Sequence, residues 1–166
     1  SPHLFEKNLL ALSSRHPHLA KAAAATTPST SSSVCTSRTG LPVPVIEKGG
    51  RQYPLHSTFD PLKESKRLYQ QNPIEHFLIF FGLGGGYHIA PYLENSKVTY
   101  ALIIEKDISH FAFLLSVIDF HNLFLDSRVF LLVNVNENEI KDVIVSKYVP
   151  PITGDISTVS LLSQDR

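Results

Sequence analysis

The sequence predicts an α/β fold: a Rossmann-like parallel sheet flanked by helices, preceded by an amino-terminal helical arm and a short β-hairpin. Two observations support this prediction. Three apolar stretches of strand length, 76–81, 98–104 and 128–133, alternate with helical patterns. A run of Gly-Leu-Gly-Gly-Gly at 82–86 lies directly between the first of these strands and the helix after it. Such alternation predicts βαβ units and a right-handed parallel sheet.

The composition fits one domain with a substantial core. The 166 residues are 43% hydrophobic, and 15 basic residues balance 15 acidic ones. Because nucleic-acid-binding domains usually carry a basic excess, no nucleic-acid partner is expected. Cys35 is the single cysteine, which excludes an intrachain disulfide and favours a reducing, cytoplasmic location. No apolar run reaches the roughly 18–20 residues of a membrane helix, so no membrane partner is expected.

The first 40 residues predict a helical arm and a Ser/Thr-rich linker. Apolar residues recur at helical spacing over 1–25, and Pro17 divides this pattern into two short helices. We expect the arm to serve packing or dimerisation, so a homo-oligomer is among the expected assemblies. Residues 26–33 have the composition of a flexible linker, and 34–40 are a strand or the approach to one.

A proline-rich segment and a capped helix come next. Residues 41–54 predict a β-hairpin, whose first strand, 43–47, should lie at a sheet edge because proline is tolerated there. Asp60 is a natural N-cap, and Pro61 suits the first helical position. A helix should therefore run from Pro61 to about residue 71.

The Rossmann-like domain is predicted over 55–166. Helices are expected after each of its three strands, over 87–95, 107–120 and 137–146. A fourth strand is predicted at 156–162, close to the last residue of the sequence. We therefore expect the domain to be truncated at its carboxyl end.

The glycine turn after the first predicted strand is the main candidate for a ligand site. Gly82, Gly84, Gly85 and Gly86 suit a tight strand-to-helix turn, and they let a ligand approach the backbone. The N–H groups at the start of the next helix would then bind a phosphate, a carboxylate or a sugar edge. His88 lies near the same rim, as a ligand contact or as an exposed helix residue.

Glu105 is the predicted acidic partner of this turn. It lies 23 residues after Gly82 (105 − 82), and an acidic residue at about this distance binds a ribose diol in Rossmann-like folds. The spacing is GxGxG, with Tyr87 where GxGxxG has its last glycine, which favours a methyltransferase-like site over a dinucleotide site. The acidic residue usual before a methyltransferase glycine turn is absent, so S-adenosylmethionine is the less favoured ligand. A turn kept only for helix–strand packing is the other alternative.

A polar cluster precedes the helix that begins near residue 61. It consists of His56, Ser57 and Asp60. Asp60 is explained as an N-cap. The other two have no such explanation, so all three are candidate pocket residues.

The other charged or titratable residues are interpreted as structural. Lys63, Lys66 and Arg67 are typical of a solvated helix face. His110 and His121 flank an apolar helix and are interpreted as structural histidines. Since no HxxH, HExxH or paired-carboxylate spacing occurs, we predict no metal site.

Several of these motifs, taken in order, resemble a known family. They are Leu-Phe-Glu-Lys-Asn-Leu at 4–9, Leu-His-Ser at 55–57 with Asp-Pro at 60–61 and Glu64, Gly-Leu-Gly-Gly-Gly-Tyr-His at 82–88, and Ile-Glu-Lys-Asp at 104–107. Together they resemble the amino-terminal region of the motility accessory factor (Maf-type) flagellin glycosyltransferases, a family related to the pterin diphosphokinase-like domain family. The resemblance covers nearly all of 4–145.

The resemblance implies a domain that precedes a separate transferase domain. Proteins of this family transfer a nonulosonic acid or a related sugar from a nucleotide-activated donor to flagellin Ser or Thr. It therefore implies a nucleotide sugar as ligand and flagellin as partner, with catalytic residues unassigned and this chain inactive alone. The residues on matching positions are Gly82, Gly84, Gly86, His88 and Glu105 in the glycine turn and its acidic partner, and His56, Ser57 and Asp60 in the polar cluster.

Overall fold

A computed structural model of the chain describes residues 1–147 and 156–160. In this part of the chain the helices are α1 Pro2–Ser13, α2 Pro17–Ala24, α3 Pro61–Gln71, α4 Ala90–Leu93, α5 Ile108–Val117, α6 His121–Leu125 and α7 Glu137–Lys147. The strands are β1 Ser32–Thr36, β2 Pro42–Lys48, β3 Arg51–Pro54, β4 His76–Phe81, β5 Val98–Glu105, β6 Val129–Val133 and β7 Ile156–Ser160.

The predicted Rossmann-like sheet is confirmed. Four parallel strands pair in the order β6-β5-β4-β7. The chain moves outward from β4 to β6 and then returns to pair β7 with the other side of β4. In open parallel sheets, ligands bind at the carboxyl ends of the strands beside such a reversal. The glycine turn follows β4 and therefore lies at this position.

Helices cover the two faces of the sheet unequally. Successive strand residues point to opposite faces, so Leu78 and Phe80 of β4 join a large core with α1, α2, α5 and α6. Phe77 and Ile79 point the other way and join a smaller core with α7. All four side chains are buried, as expected for a strand covered on both faces.

The amino-terminal arm consists of two helices, as predicted, and packs on α5 and α6. Asn8 is fully buried in this contact. Its Nδ2 donates to the carbonyls of Leu115 and Ile118 (2.7 and 2.6 Å), and its Oδ1 accepts from the N–H of Phe120 (2.8 Å). The arm is therefore anchored to the connection between α5 and α6 by one amide side chain.

The hairpin at 43–47 belongs to a larger antiparallel sheet, and the expected edge position is wrong. The strand order is β1-β2-β3, so β2 is central. β2 tolerates its prolines because β3 pairs with it over Val45–Lys48, whereas Pro42 and Pro44 lie beyond that stretch. The carbonyl of Pro44 accepts instead from the N–H of Leu55, just after β3 ends.

The helix predicted at 87–95 is much shorter than expected. α4 has four residues, and the chain from Gly84 to Ile89 consists of turns and a bend. Pro91 lies in the first turn of α4, the position where a missing N–H is tolerated, so the helix begins beside it. The fourth strand is confirmed at 156–160, and the last two residues of the predicted range lie outside the described residues. Within the described residues, no helix combines the length and apolar character needed to cross a bilayer.

Candidate functional site

The glycine turn uses its glycines for the chain's own conformation. Gly82, Gly84 and Gly86 have φ angles of 107°, 52° and 77°, which only glycine adopts freely. Gly85 is needed for another reason: a Cβ atom there would lie 2.6 Å from the ring of Tyr87. The sequence predicts that a ligand approaches the backbone here. In the structure the Tyr87 ring lies against the backbone of Gly85 instead.

His56 binds the glycine turn from the preceding polar cluster. The N–H of Gly85 donates to Nε2 of His56 at 2.8 Å, so the ring is neutral and carries its proton on Nδ1. Burial, and to a smaller extent the nearby His88, lowers the pKa of His56 to about 3. The Tyr87 ring meets the His56 ring edge-on at 5.1 Å, and its hydroxyl donates to the Pro42 carbonyl at 2.7 Å.

His88 is a buried member of the same cluster, with 4% of its surface exposed. Its Nε2–H donates to the carbonyl of Gly82 at 3.0 Å, and its ring centroid lies 5.4 Å from that of His56. Nδ1 is buried and has no hydrogen-bond partner in the part of the chain that the structure describes. Burial lowers the pKa of His88 to about 4, so both rings are neutral at physiological pH.

Glu105, the last residue of β5, is the third side chain that binds the backbone of the glycine turn. It is 2% exposed, and its Oε2 accepts from the N–H of Leu83 at 3.1 Å. Burial raises the pKa of Glu105 to about 7, although the Leu83 N–H acts in the opposite direction. The carboxyl group therefore holds the backbone of the glycine turn, and it does not extend into solvent where a ribose diol could bind both oxygens.

Ser57 and Asp60 organise the loop before α3. The Ser57 hydroxyl accepts from the N–H groups of Phe59 and Asp60, both at 3.1 Å. Asp60 accepts from the N–H of Lys63 at 3.0 Å, which confirms the predicted N-cap. Among the three polar candidates, His56 is therefore the one whose hydrogen bond reaches the glycine turn.

A cavity of about 650 Å³ lies beside the glycine turn, and we call it the turn cavity. Gly86 and Tyr87 line one side, and His121 and Asn122 at the start of α6 line the other. Among the described residues, Nδ1 of His121 has no hydrogen-bond partner, and the Asn122 side chain is exposed. The cavity therefore offers two polar groups that the sequence does not indicate as ligand contacts: His121, which is predicted to be structural, and Asn122, for which the sequence gives no signal.

The charges around the turn cavity do not favour a phosphate. The carboxylates of Glu94, Asp119 and Asp126 and the ammonium of Lys7 line it. Lys7 binds Asp119 at 2.7 Å, and Asp126 is paired with Arg128 at the same distance, whereas Glu94 has no salt bridge in the described chain. No net positive charge is left to attract an anion.

A second cavity, also of about 650 Å³, lies between α3 and the turn that joins β1 to β2. We call it the α3 groove. Lys63, Lys66 and Arg67 line it. Their sequence is typical of a solvated helix face and gives no signal that a second segment lies opposite them. Within residues 1–147 and 156–160, no group of three His, Cys, Asp or Glu side chains is placed to hold a metal ion.

Comparison with known proteins supports the fold. No protein-family model and no curated protein sequence matches the chain. A solved structure, the MAf glycosyltransferase from Magnetospirillum magneticum AMB-1, is similar with a TM-score of 0.68 and 15% sequence identity. The similarity covers 96% of this chain and 32% of that chain, so this chain spans about a third of that protein. At this identity, the similarity shows that the two share a fold.

Proposed function

We propose that the chain is the amino-terminal Rossmann-like domain of a Maf-type flagellin glycosyltransferase, which supports the binding of a nucleotide sugar or of the protein acceptor. One observation carries this proposal. Three motifs that are far apart in sequence meet in one cluster: His56 accepts from Gly85, His88 donates to Gly82, and Glu105 accepts from the glycine turn. The fold shared with a MAf glycosyltransferase supports the same assignment.

We assign the cluster the role of positioning the glycine turn. His56 and Glu105 each bind a backbone N–H of the turn, and His88 binds a carbonyl. All three side chains are buried. On this proposal the domain has a supporting role, the catalytic residues lie outside the cluster, and the protein is cytoplasmic.

The turn cavity fits a ligand rich in hydroxyl groups. Carboxylates such as that of Glu94 accept hydrogen bonds from hydroxyls, and the Asn122 amide both donates and accepts. Because the cavity has no excess of cations, a sugar ring or a Ser/Thr-bearing segment of flagellin fits it better than a phosphate group does. The proposal therefore places the sugar or the acceptor here.

Calorimetric titration tests the proposal. The chain is titrated with a nucleotide-activated nonulosonic acid and, separately, with purified flagellin. We expect at least one to bind, and Asn122→Ala to weaken that binding by about five- to tenfold, the effect of one hydrogen bond. Asn138→Ala, an exposed position on α7, is the matched control and should leave affinity unchanged. Absence of binding for both ligands, or equal affinity in both variants, would refute the proposal.

A structural domain without a ligand is the second candidate function. It is favoured by the Tyr87 ring, which occupies the space above Gly85, and by the hydrogen bonds that the cluster forms within itself. The same titration separates the two candidates, because a structural domain would bind neither ligand. An S-adenosylmethionine site gains no support from the geometry, since Glu105 is buried and already bonded to Leu83.

A further inference from the structure

The α3 groove concentrates three cations on one side of a helix. Lys63, Lys66 and Arg67 are spaced i, i+3 and i+4, which places them on one face of α3. That face lines the cavity of about 650 Å³, whose opposite wall includes Thr39 and Leu41. The three exposed cations thus face a second segment of the chain across the cavity. The groove is therefore a concave cationic site, within the size range of small-molecule pockets.

These cations are available to a ligand. None of the three forms a salt bridge within the described residues. Asp60 is the carboxylate that lines the groove, and its Oδ1 already accepts from the N–H of Lys63 as the helix cap. Three positive charges thus face one carboxylate that is partly satisfied. An anion would gain charge-assisted hydrogen bonds here without first breaking an ion pair.

The wall opposite α3 is held in place by hydrogen bonds. The N–H groups of Arg38 and Thr39 donate to the carbonyls of Thr58 and Phe59, at 3.0 and 3.2 Å. The Arg38 guanidinium also lies over the Phe59 ring, 5.4 Å from its centroid. These contacts join the β1–β2 turn to the loop that leads into α3. The width of the groove is therefore set before any ligand binds, which lowers the entropy cost of binding.

We infer that the α3 groove binds a small phosphorylated ligand through its phosphate groups, and that in the proposed glycosyltransferase these phosphate groups belong to a nucleotide. Arg67 can bind phosphate oxygens through two N–H groups, and Lys63 and Lys66 add point charges beside it. Leu41 and Leu62 supply apolar surface next to the cations. Only the identity of the nucleotide rests on the proposed function, because the anion site follows from the groove itself.

Titration with inorganic pyrophosphate tests the inference. The chain is titrated with pyrophosphate, UDP and sulfate, and amide chemical shifts locate each ligand. We expect pyrophosphate and UDP to shift the amides of 38–41 and 60–70, and sulfate to bind at least tenfold more weakly. The triple variant K63Q/K66Q/R67Q should lose at least tenfold in pyrophosphate affinity. Its cations are exposed, so its melting temperature should stay near that of the parent chain.

A charge-matched control separates a site from general electrostatics. The variant K21Q/R51Q/K141Q removes three exposed cations outside the groove and should keep its pyrophosphate affinity. Equal loss in both triple variants, sulfate binding as tight as pyrophosphate binding, or shifts outside the groove would overturn the inference.

The outcome is independent of the proposed function. If pyrophosphate binds through α3 but neither the nucleotide sugar nor flagellin binds, the groove is confirmed and the proposed function fails. If a nucleotide sugar binds but pyrophosphate has the same affinity for the parent chain and for K63Q/K66Q/R67Q, the groove fails and the proposed function stands.

Discussion

The turn cavity and the α3 groove have the same volume but use their polar groups in opposite ways. The glycine turn beside the first is bound by side chains of the chain itself, since His56 and Glu105 each accept from one of its N–H groups. The second contains three cations without salt bridges among the described residues. A glycine-rich motif therefore indicates positions where the backbone conformation or the available space requires glycine. It does not show which N–H groups of the turn are free to bind a ligand.

Burial explains the contrast. A buried donor or acceptor without a partner costs free energy, so the polar groups of the turn cluster bond to one another. A cation on the surface of α3 is solvated and needs no partner. The buried cluster therefore requires partners within the chain, whereas the exposed cations of the α3 groove keep their capacity to bind a ligand. We therefore expect substitutions in and around the turn cluster to act on stability, and substitutions of the groove cations to act on anion binding.

Replacing Asn8 by Ala should have the largest effect. The change removes three buried hydrogen bonds and leaves the Leu115 and Ile118 carbonyls and the Phe120 N–H unpaired. We expect the free energy of unfolding to fall by about 3–5 kcal/mol, at roughly 1–3 kcal/mol for each unpaired buried group with partial relaxation. Urea denaturation measures this change.

Two control measurements test whether Asn8→Ala affects stability without affecting the α3 groove. Asn138→Ala, exposed on α7, should change the free energy of unfolding by less than about 0.5 kcal/mol. Phe120 lines the turn cavity but not the α3 groove, so the folded Asn8 variant should keep its pyrophosphate affinity. A loss of stability below about 1 kcal/mol would show that water replaces the amide.

Glu105→Gln should stabilise the chain at high pH. The pKa of Glu105 is about 7 in the folded chain against an ordinary value of 4.5, so the folded state binds this proton more tightly. The contribution of Glu105 is therefore fully present below about pH 4.5 and is lost as the pH rises through about 7. The variant should match the parent at acid pH and exceed it by about 3 kcal/mol at pH 8.5, at 1.36 kcal/mol per pKa unit.

Subtracting the parent from the variant isolates Glu105 from the histidines. The pKa values of His56 and His88 are lowered to about 3 and about 4, so both chains lose stability as the pH falls below about 6.5. That loss cancels in the difference between the two urea midpoints at each pH. A difference that does not grow between pH 5 and 8.5 would mean that Glu105 is ionised at little cost.

The parallel sheet and the N-cap of α3 could be predicted because the sequence patterns that determine them are local. The apolar run of β4 and the Asp60-Pro61 pair are each decided by neighbouring residues. The short α4 had a local signal as well, since Pro91 can occupy only the first turn of a helix. The central position of β2 could not be predicted, because its partner β1 begins inside the Ser/Thr-rich segment typical of a linker, and the strand expected within 34–40 had no signal for pairing with β2.

The candidate site was predicted only in part because its contacts are long-range. His56, Gly85 and Glu105 could be selected from the sequence as candidates. Their hydrogen bonds could not, because the Leu83–Glu105 bond joins positions 22 residues apart and the His56–Gly85 bond joins positions 29 residues apart. The role of Asn8 depends on groups more than 100 residues away. Spacing along the chain cannot show whether such groups face a ligand or each other.

Gly85→Ala tests whether the turn is filled by Tyr87. The added Cβ would lie 2.6 Å from the ring, whose hydroxyl is held by the Pro42 carbonyl and resists displacement. We expect a loss of about 2 kcal/mol in the free energy of unfolding, as for overpacking in a core. Gly49→Ala, where nothing lies within 4 Å, should lose only about 1 kcal/mol from its positive φ.

A double-mutant cycle shows whether the clash is the cause. In a Tyr87→Ala background the ring is absent, so Gly85→Ala should cost less than about 0.5 kcal/mol. A cost that is unchanged in this background would assign the effect to the backbone of Gly85. If ligand binding to the turn cavity improved in Tyr87→Ala, the ring would be the group that excludes ligands from the turn.

Lys7→Gln should have the smallest effect, although Lys7 adjoins Asn8 in the same motif. Its ion pair with Asp119 is about half exposed at both ends, with side-chain exposures of 46% and 52%. Such pairs contribute about 0.2–1 kcal/mol, and less at high salt. Combining Lys7→Gln with Asp119→Asn in urea denaturation at 50 mM and 1 M salt should give a coupling that falls with salt. A coupling above about 1 kcal/mol at both salt concentrations would show that the Lys7–Asp119 pair stabilises the fold as the turn cluster does. The wall of the turn cavity, which both residues line, would then contribute to stability as well.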